Sequence, residues 1–363
     1  MSNPPPSYVE AQLVQQLVDT LRTLPEVEVE VPAAGAVPAS RDAGYDARID
    51  THIAGRPVTL LIEAKKTVYP RDVHQTLWRL KPLINRGRSH STVALLAAGS
   101  LSPGAKELLR AEGVGYFDSG GSLYVPAAGA YIYVARPSPK AEASVMRSLF
   151  TGRRAQAIHA LLSRREQWFG VKQLAELSEV SPATASEVLT ELEKHDWIDT
   201  RGLGPTKERH LREPRALLDA WASQVIASRP PAMRRYYIPG LKADALVDRA
   251  AQAFEARNAN YAISHEAAAQ RYAPYLSSVG QVRCRVLATP GADDSLADLG
   301  ARVVNEGANF VLIEIRSPGD LLFRQRVGDA WLASPFHVYL DLLKSEGRAK
   351  EMAEHLRKER IGC

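Results

Sequence analysis

Val171-Lys172-Gln173-Leu174-Ala175-Glu176-Leu177-Ser178 and, two residues on, Ser181-Pro182-Ala183-Thr184-Ala185-Ser186-Glu187-Val188-Leu189, continuing to Leu192, read as two helices around a short turn. Val171, Leu174, Ala175 and Leu177 fall on one apolar face at helical spacing. Ser181 suits an N-cap, and Pro182 suits the first helical position. In the second helix Ala185, Val188, Leu189 and Leu192 share a face that packs on the first. Ala183, Ser186, Glu187 and Thr190 are left outward, with Thr184 at the edge. Trp197-Ile198-Asp199-Thr200 reads as a strand and Gly202-Leu203-Gly204-Pro205 as a turn. Arg201, Lys207, Arg209 and Arg212 bring positive charge to this hairpin.

The order resembles a winged helix-turn-helix. That resemblance implies double-stranded DNA as partner, with the second helix in the major groove and the hairpin on neighbouring phosphate. The contacts it implies are Thr184, Ser186, Glu187, Arg201, Lys207, Arg209 and Arg212. Small side chains near the helix start let the DNA backbone approach, and a helix N-terminus favours phosphate. Glu187 repels phosphate but accepts from a cytosine amine. A homodimer would match a two-fold operator. Such folds also serve as protein-protein modules without nucleic acid.

The chain of 363 residues has room for two or three domains. Apolar residues at 45% and charged ones at 24% fit an ordinary globular protein, and a net charge of +5 is compatible with nucleic acid. Cys284 and Cys363 are too few for a metal cluster and fit a reducing compartment. Met1-Ser2-Asn3-Pro4-Pro5-Pro6-Ser7 lacks the charged and apolar regions of a secretory signal. No apolar run nears the roughly 20 residues that span a bilayer. A cytoplasmic protein with no membrane partner is expected. Arg136-Pro137-Ser138-Pro139-Lys140 and Ser228-Arg229-Pro230-Pro231-Ala232 read as linkers. They set three domains, residues 1–138, 146–227 and 233–363.

In the first domain, residues 9–24 read as an amphipathic helix carrying Val9, Leu13, Leu17 and Leu21, and residues 26–31 as a strand. Residues 45–53 and 57–66 read as a hairpin, residues 71–84 as a helix and residues 92–98 as an apolar strand. A turn centred on Gly55-Arg56 sets Glu63 opposite Arg48, with Asp46 and Asp50 to either side. Side chains two apart share a face, so Asp46, Asp50, Glu63 and Lys65 point one way. Carboxylates gathered so, Asp50 and Glu63 first among them, would hold Mg²⁺, a hard ion that takes oxygen ligands. Helix, three strands, helix, strand, with Asp50…Glu63-Ala64-Lys65, resembles the PD-(D/E)xK restriction-endonuclease-like superfamily, with Asp46 a second candidate aspartate. The resemblance implies metal-activated water, Lys65 on the nucleophile or the developing charge, Gln75 on the following helix, and Glu10 as an outer ligand. Residues 103–112 read as a helix, residues 114–125 as a hairpin with Asp118 in its turn, and residues 130–135 as a strand.

After residue 233 the expected elements are helices at 241–257, 265–272, 293–299, 335–343 and 347–358. Strands are expected at 261–264, 282–288, 310–315 and 321–326. The order is similar to a nucleotidyltransferase fold. Tyr261-Ala262-Ile263-Ser264, Ala267-Ala268-Ala269 and the run from Val338-Tyr339-Leu340-Asp341-Leu342-Leu343-Lys344 through Arg357 resemble the C-terminal domain of AbiEi-type antitoxins of type IV toxin-antitoxin systems. The resemblance covers residues from about 150 to the end, and it implies promoter binding and a cognate toxin. Nucleotide transfer is not expected. Val282-Arg283-Cys284-Arg285-Val286-Leu287 has no acid, Asp293-Asp294 reads as a helix cap, and Glu314 stands alone.

The whole is thus an α/β (α+β) multidomain chain: a restriction-endonuclease-like domain, a winged helix-turn-helix and a degenerate nucleotidyltransferase-like domain. Two functions follow. One is a DNA-binding regulator of the AbiEi type, without cofactor. The other is a Mg²⁺-dependent DNA endonuclease targeted by its winged helix.

Overall fold

The computed structural model describes residues 8–30, 37–38, 44–86, 92–127, 129–137, 140–240, 242–315 and 317–363. Residues 1–7 lie outside these, as do Val31, Ser138, Pro139 and Leu241, which the sequence assigns to element ends or to the first linker; of Val9 only the backbone is described. The chain is mixed α/β, with three sheets among the described residues. It forms two compact units, Met1–Met146 with Thr190–Asp196, and Arg147–Leu189 with Trp197–Cys363. The second unit takes in most of what the sequence divides into a second and a third domain.

The first unit runs α1 (Tyr8–Arg22), β1 (Val27–Glu30), β2 (Val37–Pro38), β3 (Ala47–Ile53), β4 (Arg56–Val68), α2 (Pro70–Arg86), β5 (Thr92–Leu101), α3 (Pro103–Ala111), β6 (Gly115–Asp118), β7 (Leu123–Ala127) and β8 (Ala130–Val134), before α4 (Lys140–Leu149). Its sheet has the order β1-β3-β4-β5-β6-β7-β8, with β2 on β3. The β4–β5 and β5–β6 pairs are parallel. Central strand β5 is apolar and buried from Val93 to Ala98 because both its faces are covered there. Val93, Leu95 and Ala97 join Leu17 and Leu21 of α1 in one core, and Ala94, Leu96 and Ala98 join Val73 of α2 and Leu109 of α3 in the other.

Strands β3 and β4 meet in a two-residue turn, Ala54-Gly55, whose φ angles are +49° and +73°. Two left-handed residues make the hairpin turn that suits strand twist. From the sequence the turn is expected one residue later, with Glu63 opposite Arg48. Instead Arg48 faces Leu61, Asp50 faces Thr59 and Ile53 faces Arg56. Pairing moves by two places, so the residues sharing a face stay the same, but their neighbours change.

The second unit begins α5 (Gly152–Ser163), β9 (Trp168–Phe169), α6 (Val171–Leu177), α7 (Pro182–Lys194), β10 (Ile198–Arg201), β11 (Glu208–Leu211) and α8 (Pro214–Ala227), with a small sheet ordered β10-β11-β9. Ser181 Oγ accepts from the Thr184 amide at 3.1 Å, the expected N-cap. Ala185, Val188, Leu189 and Leu192 of α7 are all fully buried.

Next come β12 (Met233–Tyr237), α9 (Ala243–Ala256), β13 (Tyr261–Ser264), α10 (His265–Tyr272), β14 (Val282–Leu287), α11 (Pro290–Asp298), β15 (Arg302–Val303), β16 (Phe310–Ile315), β17 (Gln325–Val327), β18 (Ala330–Leu332), α12 (Pro335–Leu342) and α13 (Ala349–Leu356). Their sheet has the order β15-β12-β16-β14-β13-β18-β17. Two expectations fail here. Residues 321–326 are not one strand, because Pro318–Leu321 forms a 3₁₀ turn ahead of β17. Asp293 does not cap α11: Pro290 starts the helix earlier, with Thr289 at the cap position.

Asp341 of α12 is locked to Arg285 of β14, whose Nε donates to Oδ2 at 3.0 Å, and to the Ser264 hydroxyl. Burial alone would raise its pKa, yet Arg285, His265 and Ser264 hold the carboxyl below the usual carboxylate range. Asp341→Ala would strand the Arg285 charge in the interior, costing about 3–5 kcal/mol and lowering the urea midpoint accordingly. A depressed carboxylate pKa stabilises at every pH above the unfolded value and loses that effect only as acid protonates the folded group. The deficit of the variant should therefore hold from about pH 9 to pH 5 and narrow in stronger acid.

Candidate functional site

Glu63 of β4 pairs with Leu96 of β5, and Lys65 with Ala98. Leu96 and Ala98 belong to the core under α2 and α3, so both charged side chains face that way. Asp46, just before β3, is tied to both neighbours of Glu63. Its amide donates to the Ile62 carbonyl at 2.7 Å, and its Oδ2 accepts from the Ala64 amide at 2.8 Å. The turn register thus brings Asp46, and not Asp50, beside Glu63.

The Glu63 side chain is buried. Its Oε1 lies 2.9 Å from Lys65 Nζ and 3.4 Å from Arg79 Nη1 of α2. Its Oε2 is buried without a hydrogen-bond partner. Burial raises the Asp46 pKa above the usual carboxylate value. The Ala64 amide opposes that rise, the charges of Glu63 and Glu10 add to it, and Lys65 eases it. Asp46, Glu63 and Glu10 therefore repel one another in a partly dry place. Two carboxylates with an orphaned oxygen fit Mg²⁺, which takes one or two protein carboxylates and completes its shell with water and phosphate. No group of three His, Cys, Asp or Glu poised to hold a metal occurs among the described residues.

Asp50, expected as the principal ligand, is not at this centre. Four residues along β3 from Asp46, it lies about 13 Å away at strand rise. There it accepts from Thr59 Oγ1 at 2.7 Å and pairs with Arg48 at 3.0 Å. Burial would raise its pKa, but Thr59 and Arg48 lower it. Gln75 is exposed on α2, four residues before Arg79 and so on the same helix face. Arg79 was missed by sequence reasoning, although its spacing from Gln75 is a usable signal. Gly99 of β5 matters nearby, since a Cβ there would come within 2.6 Å of the Lys66 carbonyl, next to Lys65. Asp118 does hold a turn, accepting from the Ser122 amide at 3.0 Å.

On α7, Ala183, Glu187 and Thr190 are exposed, and Thr184 and Ser186 are half-buried. Glu187 Oε2 lies 2.6 Å from Arg154 Nη2 of α5, which neutralises the charge that counted against phosphate. The hairpin is less positive than its sequence suggests. Arg201 pairs with Glu208 at 2.6 Å and lies over the Trp168 ring at 4.3 Å, and Arg212 faces Asp199 at 3.4 Å. Lys207 is half-buried. Arg209 is a correction: only 8% exposed, it turns inward with Leu211 by strand alternation and donates to the Lys207 carbonyl. Asp293 of α11 and Glu314 of β16 share Arg234 of β12, at 3.0 and 2.8 Å, which suits salt-bridging and not metal binding.

No protein-family model matches the chain, and no curated protein or solved structure was found similar to it.

A raised carboxylate pKa weakens the folded state once pH exceeds the unfolded value, and the penalty disappears in acid. Asp46→Asn should raise the melting temperature at about pH 7, with the gain shrinking as pH falls toward about 4. Mg²⁺ should raise the melting temperature of the unaltered protein and leave Glu63→Gln unmoved. Thermal unfolding at the two pH values, with Mg²⁺ and with chelator, measures both.

Proposed function

We propose that the chain is a metal-dependent DNA nuclease of the PD-(D/E)xK type, carried to double-stranded DNA by a winged helix-turn-helix built from α6, α7 and the β10–β11 hairpin. The observation that carries this reading is the buried, unpartnered Oε2 of Glu63 with Asp46 fastened alongside. Asp46 and Glu63 would hold Mg²⁺, which when bound supplies an activated water and neutralises charge on the scissile phosphate. Lys65 orients the nucleophile or offsets charge on the phosphate. Arg79 and Gln75 lie on one face of α2, where they would draw the phosphate in. Glu10 adds negative charge from α1. On α7, Thr184 and Ser186 would meet the groove, with Glu187 restrained by Arg154. Arg201, Lys207 and Arg212 would meet phosphate only by loosening their present partners. Among the described residues no helix is long and apolar enough to cross a membrane. A cytoplasmic site of action is part of the proposal.

A second reading is favoured by one feature: Glu63 Oε1 already meets two cations, Lys65 and Arg79. On that reading the acidic centre is silent and needs no cofactor. The chain is then a DNA-binding regulator resembling AbiEi-type antitoxins, a homodimer on its operator, with a cognate toxin as partner and a C-terminal region resembling a degenerate nucleotidyltransferase.

Supercoiled and linear DNA incubated with Mg²⁺, Mn²⁺ or chelator separates the two. Metal-dependent cleavage is expected, with Lys65→Ala slower by about 100-fold or more, the worth of one preorganised charge. Retarded but uncut DNA in every lane would leave the regulator.

A further inference from the structure

Three adjacent strands of the C-terminal sheet set Arg235 of β12, Val311 of β16 and Arg283 of β14 in one row. The next row is Met233, Ile313 and Arg285. Residues paired across strands share a face. Over this face lies a cavity of about 510 Å³, within the range of small-molecule sites. Met233, Val311 and Ile313 line its apolar side, and Arg235, Arg283 and Lys344 its cationic side.

The hydrogen-bond partners of those three cations are neutral. Arg283 donates to Gln281 Oε1 at 3.0 Å and to Ser345 Oγ at 2.8 Å. Arg235 donates to the Asn305 carbonyl at 3.3 Å, and Lys344 to the Ser228 carbonyl at 2.8 Å. Among the described residues none of the three is in an ion pair, and Asp341 attracts Lys344 only at longer range. Asp341, also in the lining, is taken by Arg285, while Glu306 and Glu346 are exposed. Elsewhere in this unit the arginines commonly find an acid, as Arg257 does in Asp298 and Arg326 in Glu255.

His265 gives an independent sign. It also lines the cavity, and its backbone is left-handed, φ +54°, a conformation that a residue other than glycine keeps only where its surroundings impose it. Its buried Nδ1 has no hydrogen-bond partner and stands 3.6 Å from Asp341 Oδ2. Burial pushes the ring down to about 4, against the pull of Asp341, so the imidazole is neutral and free to meet a ligand hydroxyl.

The geometry points to a binding site for a small organic phosphate. Its phosphoryl oxygens sit between Arg235 and Arg283, whose backbones stand about 10 Å apart at sheet spacing, with Lys344 closing from above. A flat apolar group lies on Met233, Val311 and Ile313, and His265 takes a hydroxyl. The site is separate from the acidic centre of β3 and β4 and does not depend on its activity.

Calorimetric titration with adenosine 5′-monophosphate, in low salt and with chelator to keep metal from the acidic centre, tests this. Binding tighter than about 1 mM is expected. Inorganic phosphate should compete, and adenosine should bind more weakly. Arg283→Gln and Lys344→Gln should each weaken binding about tenfold or more, the worth of a charge-assisted hydrogen bond, while Lys350→Ala, exposed on α13, leaves it unchanged. If Arg283→Gln fails to fold by circular dichroism, Lys344→Gln decides alone. No binding tighter than about 1 mM, or equal binding in these variants and the unaltered protein, overturns the proposal.

Discussion

Both residues of the Ala54-Gly55 turn hold positive φ, and a two-residue turn of that kind leaves β3 and β4 one way to pair. Everything about the acidic centre depends on that pairing. It places Asp46 against the backbone on either side of Glu63, through Ile62 and Ala64, and it carries Asp50 four residues away to a separate pair with Arg48. The apolar alternation of β4 then turns Glu63 and Lys65 toward α2 while Val58, Leu60 and Ile62 close on α1. The fold thereby holds like charges together in a partly dry place. Such an arrangement weakens folding, and it makes sense where a cation is to be received.

The second unit resolves its buried charges differently. On β14, two arginines alternate with Val282, Cys284 and Val286, so one face of the strand is apolar and the other cationic. Arg285 is matched by Asp341 on α12, whereas Arg283, one row away, is left with neutral partners. The same sheet therefore contains a structural ion pair and, beside it, charge held ready. Around the β10–β11 hairpin the pattern is again pairing, with Glu208 and Asp199 set against Arg201 and Arg212.

Much of this could be read from the residues. Helix α7 follows from Ser181, Pro182 and the spacing of Ala185, Val188, Leu189 and Leu192. The face shared by Asp46, Glu63 and Lys65 follows from strand alternation alone, because it survives a shift of two in register. What does not follow is which aspartate lies nearest Glu63. That depends on whether Ala54 or Arg56 joins Gly55 in the turn, and an alanine with positive φ is not what local preference suggests. Partner choice was likewise hidden. Counting Arg201, Arg209 and Arg212 as free charge ignored cross-strand acids and the inward alternation of Arg209. The strand Val282 to Leu287 has no acid, and the alternation of Arg283 and Arg285 with apolar residues is the local sign of its cationic face. Asp341, deep in α12, gives no local sign of its role, since its partners come from 56 and 77 residues away.

The central claim is that Asp46 and Glu63 share a divalent cation. Replacing that cation with Fe²⁺ and adding ascorbate and peroxide releases hydroxyl radicals at the metal, which cut the nearest backbone. Fragments mapped by mass spectrometry should end near residues 46 and 62–65, and the cuts should vanish in Glu63→Gln. Cuts clustered around Asp50 and Thr59, or none above background in the intact protein, would contradict the account.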